Sequence, residues 1–214
     1  MLKTLIILLS ILPINAALAT DHPMHPHQLA NIIDPPNSAA INIMTSTLSS
    51  LKELREQGRA TPKNVRTLIN IKLLPNIAID VATRLSLKKY WHKLSVPQQK
   101  IFQQYITESL IKDYASILGA YNGLDTLSIS AATEVKRKDN KAIVKLSIIL
   151  NKGSAPISVT LKMIRSNQWR VYDVVFSGVS LIKNYAAQFD SHIKRKGIDS
   201  LVKKSLARLK RLQK

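Results

Sequence analysis

The stretch from Trp169 to Phe189 constrains this chain more than any other. It opens as an apolar, β-branched and aromatic run, Trp169 to Phe176, with the composition of a buried strand. It breaks at Ser177-Gly178 and restarts with helical spacing at Leu181, Ile182, Tyr185 and Phe189. A strand therefore turns directly into an amphipathic helix, with Gly178 freeing the backbone at the corner. Both halves carry large apolar side chains, and no nucleophile, metal cluster or phosphate loop lies between them. Such a corner makes a wall rather than a catalytic centre.

Upstream, the apolar period is helical. Asn37 or Ser38 can cap a helix running to about Gln57, and Gly58 ends it. Thr61-Pro62 opens a second helix, with Val65, Leu68, Ile69 and Leu73 inward, until Pro75 interrupts it. A third spans Ile77 to Tyr90, and Ser95-Val96-Pro97-Gln98 reads as a capping box for the longest, Val96 to Leu118. From Leu127 the period becomes two, predicting strands at 127–136, 142–150, 157–165 and 169–176. Short polar loops join them as hairpins, so the sheet is a four-stranded antiparallel meander. Helices at 179–195 and 198–212 close the chain. The fold class is α+β, with N-terminal and C-terminal helices packed on the sheet.

The first nineteen of the 214 residues are expected to lie outside this domain. Lys3, the apolar run Leu5–Leu12 and Ala17-Leu18-Ala19 have the form of a cleavable signal peptide. Residues 20–37, broken by Pro23, Pro26, Pro35 and Pro36, read as a flexible arm, leaving 38–214 as one domain. The expected product is exported and soluble, and with no Cys it relies on its core rather than disulfides. The formal charge of +19 suits anionic lipid surfaces or acidic protein partners over nucleic acid, which an exported protein rarely meets, and equally suits a basic surface that is simply solvated.

Several ordered motifs resemble one family. The strand residues Trp169, Val171, Tyr172, Asp173 and Val174 precede Gly178-Val179-Ser180-Leu181, then Asn184, Tyr185, Gln188 and Phe189. Upstream come Pro75, Asp80, Trp91 and Pro97 to Phe102, and downstream Gly197, Asp199 and Leu201. This order is similar to that of the MlaC, or Ttg2-type toluene-tolerance, family of periplasmic phospholipid-binding proteins. Two positions depart: Ala186 stands where the family usually has Arg, and Ser86-Leu87-Lys88-Lys89 where it usually has Gly before Trp91. The resemblance implies an apolar cavity between sheet and helices that holds phospholipid acyl chains as cargo, with no cofactor and no catalysis. It implies a periplasmic, monomeric carrier working between an outer-membrane lipoprotein–porin complex and an inner-membrane MCE-domain ABC transporter complex, maintaining outer-membrane lipid asymmetry. The expected lipid-binding residues are Tyr105, Leu110, Ile148, Val159, Leu161, Val174, Phe176, Leu181, Tyr185 and Phe189. Composition does not distinguish this cavity from an ordinary close-packed core.

Two other function classes stay open from the residues alone. An enzyme acting on a small hydrophobic substrate would need an acid or base from His92, Asp80, Asp113 or Asp173, whose spacing forms no triad or carboxylate pair. A membrane-surface protein would act through the C-terminal helix, where Ile198, Leu201, Val202, Leu206 and Leu209 make a stripe among basic residues. That helix equally suits docking by its stripe. His22, following Thr20-Asp21, could complete a square-planar Cu(II) or Ni(II) site at a new N-terminus; a histidine-bearing tail without metal is the alternative, and no metal site is expected of the domain.

Overall fold

The period-two segment folds as an antiparallel sheet in which β1 (Ser128–Ala131) and β2 (Lys136–Lys138) both pair with β3 (Lys141–Ile149). The sheet continues through β4 (Ile157–Arg165) and β5 (Trp169–Phe176) to the short β6 (Val179–Ser180). The computed structural model describes residues 35–120, 126–149 and 151–212, apart from the side chains at 113, 114 and 116–120. The expected signal peptide, most of the expected arm with its histidines, and the Asp113 and Tyr114 side chains lie outside the described residues.

Among the described residues the sheet has six strands where four were expected. The strand expected at 127–136 is two pieces laid end to end along β3, Ala131 facing Leu146 and Lys136 facing Ile143. Residues 132–135 thus oppose only Val144 and Lys145, and the surplus bulges out and breaks the ladder. Val179, expected to begin a helix, instead pairs with Phe176 across Ser177-Gly178. Both turn residues have positive φ (48° and 78°), as the tightest hairpin turns require.

The helices follow their end signals. Helix α1 (Pro36–Glu56) starts one residue before the expected caps; Pro35 is its N-cap, and Pro36 in the first turn has no N–H to satisfy. Helix α2 (Pro62–Leu68) is capped by Thr61, whose Oγ1 accepts from the Asn64 amide at 3.2 Å. It loosens into a π-helical turn, Ile69–Leu73, and a 3₁₀ turn at Pro75. Helix α3 is shorter than expected, Ile79–Leu87, because Ile77 forms a parallel bridge with Val171 of β5. The Ala78 amide donates to the Val171 carbonyl at 2.8 Å, which commits that backbone to the sheet. Lys88 has φ 50° and ψ −125°, and a 3₁₀ segment, Lys88–Lys93, follows. Helix α4 (Val96–Ala120) begins at the expected box: the Ser95 amide donates to Gln98 Oε1 at 2.9 Å and the Gln98 amide to Ser95 Oγ at 3.4 Å. Helices α5 (Leu181–Lys196) and α6 (Ile198–Leu212) close the chain.

Three apolar clusters hold these elements. Val144, Leu146, Leu161, Met163 and Trp169 share one sheet face, on which α1 packs through Ala40, Ile43 and Met44. Leu51, Val65, Leu68, Ile69 and Ile111 join α1, α2 and α4. The largest cluster centres on Phe102, Tyr105, Ile106, Tyr185 and Phe189 and reaches Leu201, Val202 and Leu209 of α6. The stripe of α6, apart from exposed Leu206, is therefore spent on docking to the helices, and the helix shows water its basic face.

Candidate functional site

The outer edge of β5 is used at both ends. Ile77 takes the edge at Val171, and β6 takes it at Val175 and Phe176. Between them the strand faces a concavity of about 30 Å³. Its sheet-side wall is Val171 to Val174; α3 contributes Ala82 and Ser86, α4 Ile106 and Leu110, and α5 Leu181, Ile182 and Tyr185. Ala82 and Ser86 lie four residues apart on α3, and their small side chains let the helix approach β5. That small-residue stripe was available in the sequence as a signal; its meeting with β5 was not.

Asp173 is the one charged side chain among these lining residues, and it is 3% exposed. Oδ2 accepts from Ser180 Oγ at 2.7 Å and from Lys162 Nζ at 2.8 Å; Oδ1 accepts from the Ile182 amide at 3.1 Å. Ser180 Oγ in turn accepts from the Lys183 amide at 3.1 Å, capping α5. The carboxylate is thereby neutralised and its oxygens engaged, and it sits where the helix dipole favours negative charge. Asp173 anchors the corner and offers the cavity no spare base. The other candidate acids and bases are elsewhere: His92 and Asp80 are exposed and absent from the cavity wall.

The ten expected site residues separate into groups. Leu110, Val174, Leu181 and Tyr185 meet in the cavity. Tyr105 and Phe189 stand behind it among the packed rings, with Tyr105 6.3 Å from Tyr185 and Phe189 5.8 Å from Tyr185 between centroids. These two also line a second small cavity, between α4, α5 and α6, edged by His192, Lys204 and Arg208. Burial, then the charges of Lys204, Lys196 and Arg195, hold the His192 imidazole below its usual pKa. Leu161 is buried in the cluster under α1, and Val159 packs at its margin. Ile148 is half-buried and Phe176 is exposed. Alternation explains the split: Ile148, Val159, Leu161, Val174 and Phe176 share the α1 face, and of these Val174 alone reaches the β5 edge cavity.

An apolar concavity at a sheet edge, walled by three helices and lined by a single ion-paired acid, is thus set into an α+β fold. The sequence model for MlaC protein matches residues 42–206, and the chain belongs to that family. It is 28% identical over 160 residues to the intermembrane phospholipid transport system binding protein MlaC of Haemophilus influenzae, covering 73% of each chain. It is also 28% identical over 167 residues to the toluene tolerance protein ttg2D of Pseudomonas putida, covering 77% of this chain and 75% of that one. The fold is similar to that of the phospholipid-binding protein from Ralstonia solanacearum, solved in complex with a phospholipid. That likeness has a TM-score of 0.72 at 22% identity and covers 84% of this chain and 99% of the other.

Proposed function

We propose that this protein is a periplasmic phospholipid carrier that takes up acyl chains at the β5 edge. The observation that carries the proposal is the apolar cavity whose sole charged lining residue, Asp173, is engaged by Lys162, Ser180 and the α5 backbone. Leu110, Val174, Leu181 and Tyr185 form its binding wall. A lipid with two acyl chains buries some ~30 methylenes at ~0.8 kcal/mol each, so extraction from a bilayer requires a dry slot of matching length.

A cavity of about 30 Å³ is far smaller than such chains. Loading therefore requires α3 and α5 to part from β5, and the loose π-helical turn before α3 and Gly197 after α5 are suitable hinges. Family membership supports a shuttle between an outer-membrane lipoprotein–porin complex and an inner-membrane MCE-domain ABC transporter complex, which would sustain lipid asymmetry without catalysis. Transfer needs differential affinity between donor, carrier and acceptor. The test is a lipid extract of protein purified without detergent, paired with uptake of labelled phospholipid from vesicles. Protein that repeatedly carries none and accepts none would refute the proposal.

A further inference from the structure

A single apolar row crosses the sheet from β1 to β6. Ala131, Leu146, Val159, Phe176 and Val179 stand opposite one another on consecutive strands. Leu146 is 2% exposed and Val159 half-buried, whereas Phe176 is 53% and Val179 62% exposed. The chain has three phenylalanines; Phe102 and Phe189 are almost wholly buried, and the third sits in water on a hairpin tip. The two positive-φ turn residues hold Phe176 and Val179 directly opposite each other, so the pair forms one stiff apolar point.

This point adjoins the cavity wall along the chain. Val174 and Leu181, two residues before Phe176 and two after Val179, both line the cavity. The surrounding sequence is cationic: residues 141–189 contain seven Lys or Arg and one acid, the buried and paired Asp173. Lys183, in the first turn of α5, and Lys152, in the β3–β4 loop at the same end of the sheet, are exposed. An apolar point flanked by cations matches the interface of an anionic bilayer, with the aromatic ring at the headgroup boundary and the lysines among phosphates.

We infer that the β5–β6 hairpin is a membrane-docking tip, which inserts Phe176 and Val179 into an anionic phospholipid surface and sets the cavity mouth against the lipid to be taken. This rests on the carrier reading and adds the surface it meets. The test uses the full mature chain and vesicles of phosphatidylethanolamine with phosphatidylglycerol. The double variant F176S/V179S is expected to bind these vesicles about tenfold more weakly or worse, and to take up lipid correspondingly more slowly. Its thermal midpoint and its lipid content after loading from detergent should stay at parent values. The F176W variant supplies a second readout, a blue shift in emission on these vesicles that is weaker on phosphatidylcholine alone. Unchanged vesicle binding in F176S/V179S, or an unshifted F176W reporter in a protein that does load lipid, overturns the inference. Loss of transfer to a membrane-protein acceptor with vesicle binding unchanged also overturns it, and assigns the tip to a protein partner. A tip that docks in a protein that never carries phospholipid refutes the carrier reading alone.

Discussion

Asp173 accepts the Ser180 hydroxyl at 2.7 Å while the same hydroxyl accepts the Lys183 amide at 3.1 Å, so one chain of hydrogen bonds fixes the end of β5 to the start of α5. Removing the carboxylate strands Ser180, the Ile182 amide and Lys162 together. Lys162 is 27% exposed and can rehydrate, whereas the other two are buried. Asp173→Ala should therefore cost about 3 kcal/mol, read as a lower urea midpoint. Asp173→Asn sets a donor against donors and should cost about 2 kcal/mol. A loss below about 0.5 kcal/mol for either would mean the corner is held by apolar packing instead.

Lys88 occupies backbone that glycine prefers, φ 50° and ψ −125°, with an exposed side chain. It lies within the segment where the family resemblance leads one to expect Gly. Lys88→Gly should relieve the strain and raise stability by about 1 kcal/mol, seen as a higher thermal midpoint. An unchanged or lowered midpoint would show that the lysine side chain contributes more than its backbone costs.

Ala82 faces the cavity from α3 and is 6% exposed. A leucine there would fill the slot before a lipid does. Ala82→Leu should cut phospholipid retained after detergent-free purification by roughly twofold or more, with an overpacking cost of about 1–3 kcal/mol. The same change at exposed Ala207 on α6 should leave retention alone. Equal retention in both variants would place the acyl chains elsewhere.

A surface cluster gives a pH signature. Asp190 accepts from Tyr90 at 2.9 Å and from Lys194 at 2.7 Å, tying the 3₁₀ segment after α3 to α5. The Lys194 hydrogen bond, then that of Tyr90, holds the Asp190 carboxyl below its usual 3.8. Its contribution is complete above that value and is lost as pH falls through the depressed folded-state pKa. Tyr90 and Lys194 are both raised, chiefly by their hydrogen bonds to Asp190, so their contributions hold below 10.0 and 10.5 and fade above. Thermal midpoints of parent and Asp190→Asn should thus differ at neutral pH and converge on acidification toward about pH 2. A constant offset across that range would separate the difference from Asp190 ionisation.

Most element types and their order are legible in the sequence. Thr61 and Ser95 announce their helices because their side-chain oxygens serve the first free amides, a local event within four residues. The strand from Trp169 and the helix holding Tyr185 and Phe189 were likewise readable from period alone. Errors arose where distant partners decided. Ile77 left a helix for the β5 edge, Val179 left another to pair with Phe176, and residues 132–135 bulged because β3 offered them only two positions.

The candidate site followed the same rule. Ile148, Val159, Leu161, Val174 and Phe176 share one sheet face, because side-chain direction in a strand is fixed by the backbone. Which of them meet the helices depends on where α1 covers the sheet and where α3, α4 and α5 approach β5. The sequence by itself determined a wall: a strand, a tight glycine corner and an apolar helix. Only the tertiary structure decided that Val174 and Leu181 look into the cavity while Phe176 and Val179, two residues away, stand in water. The reason is that burial belongs to the partner elements and not to the residue, and β6 ends where the helices begin.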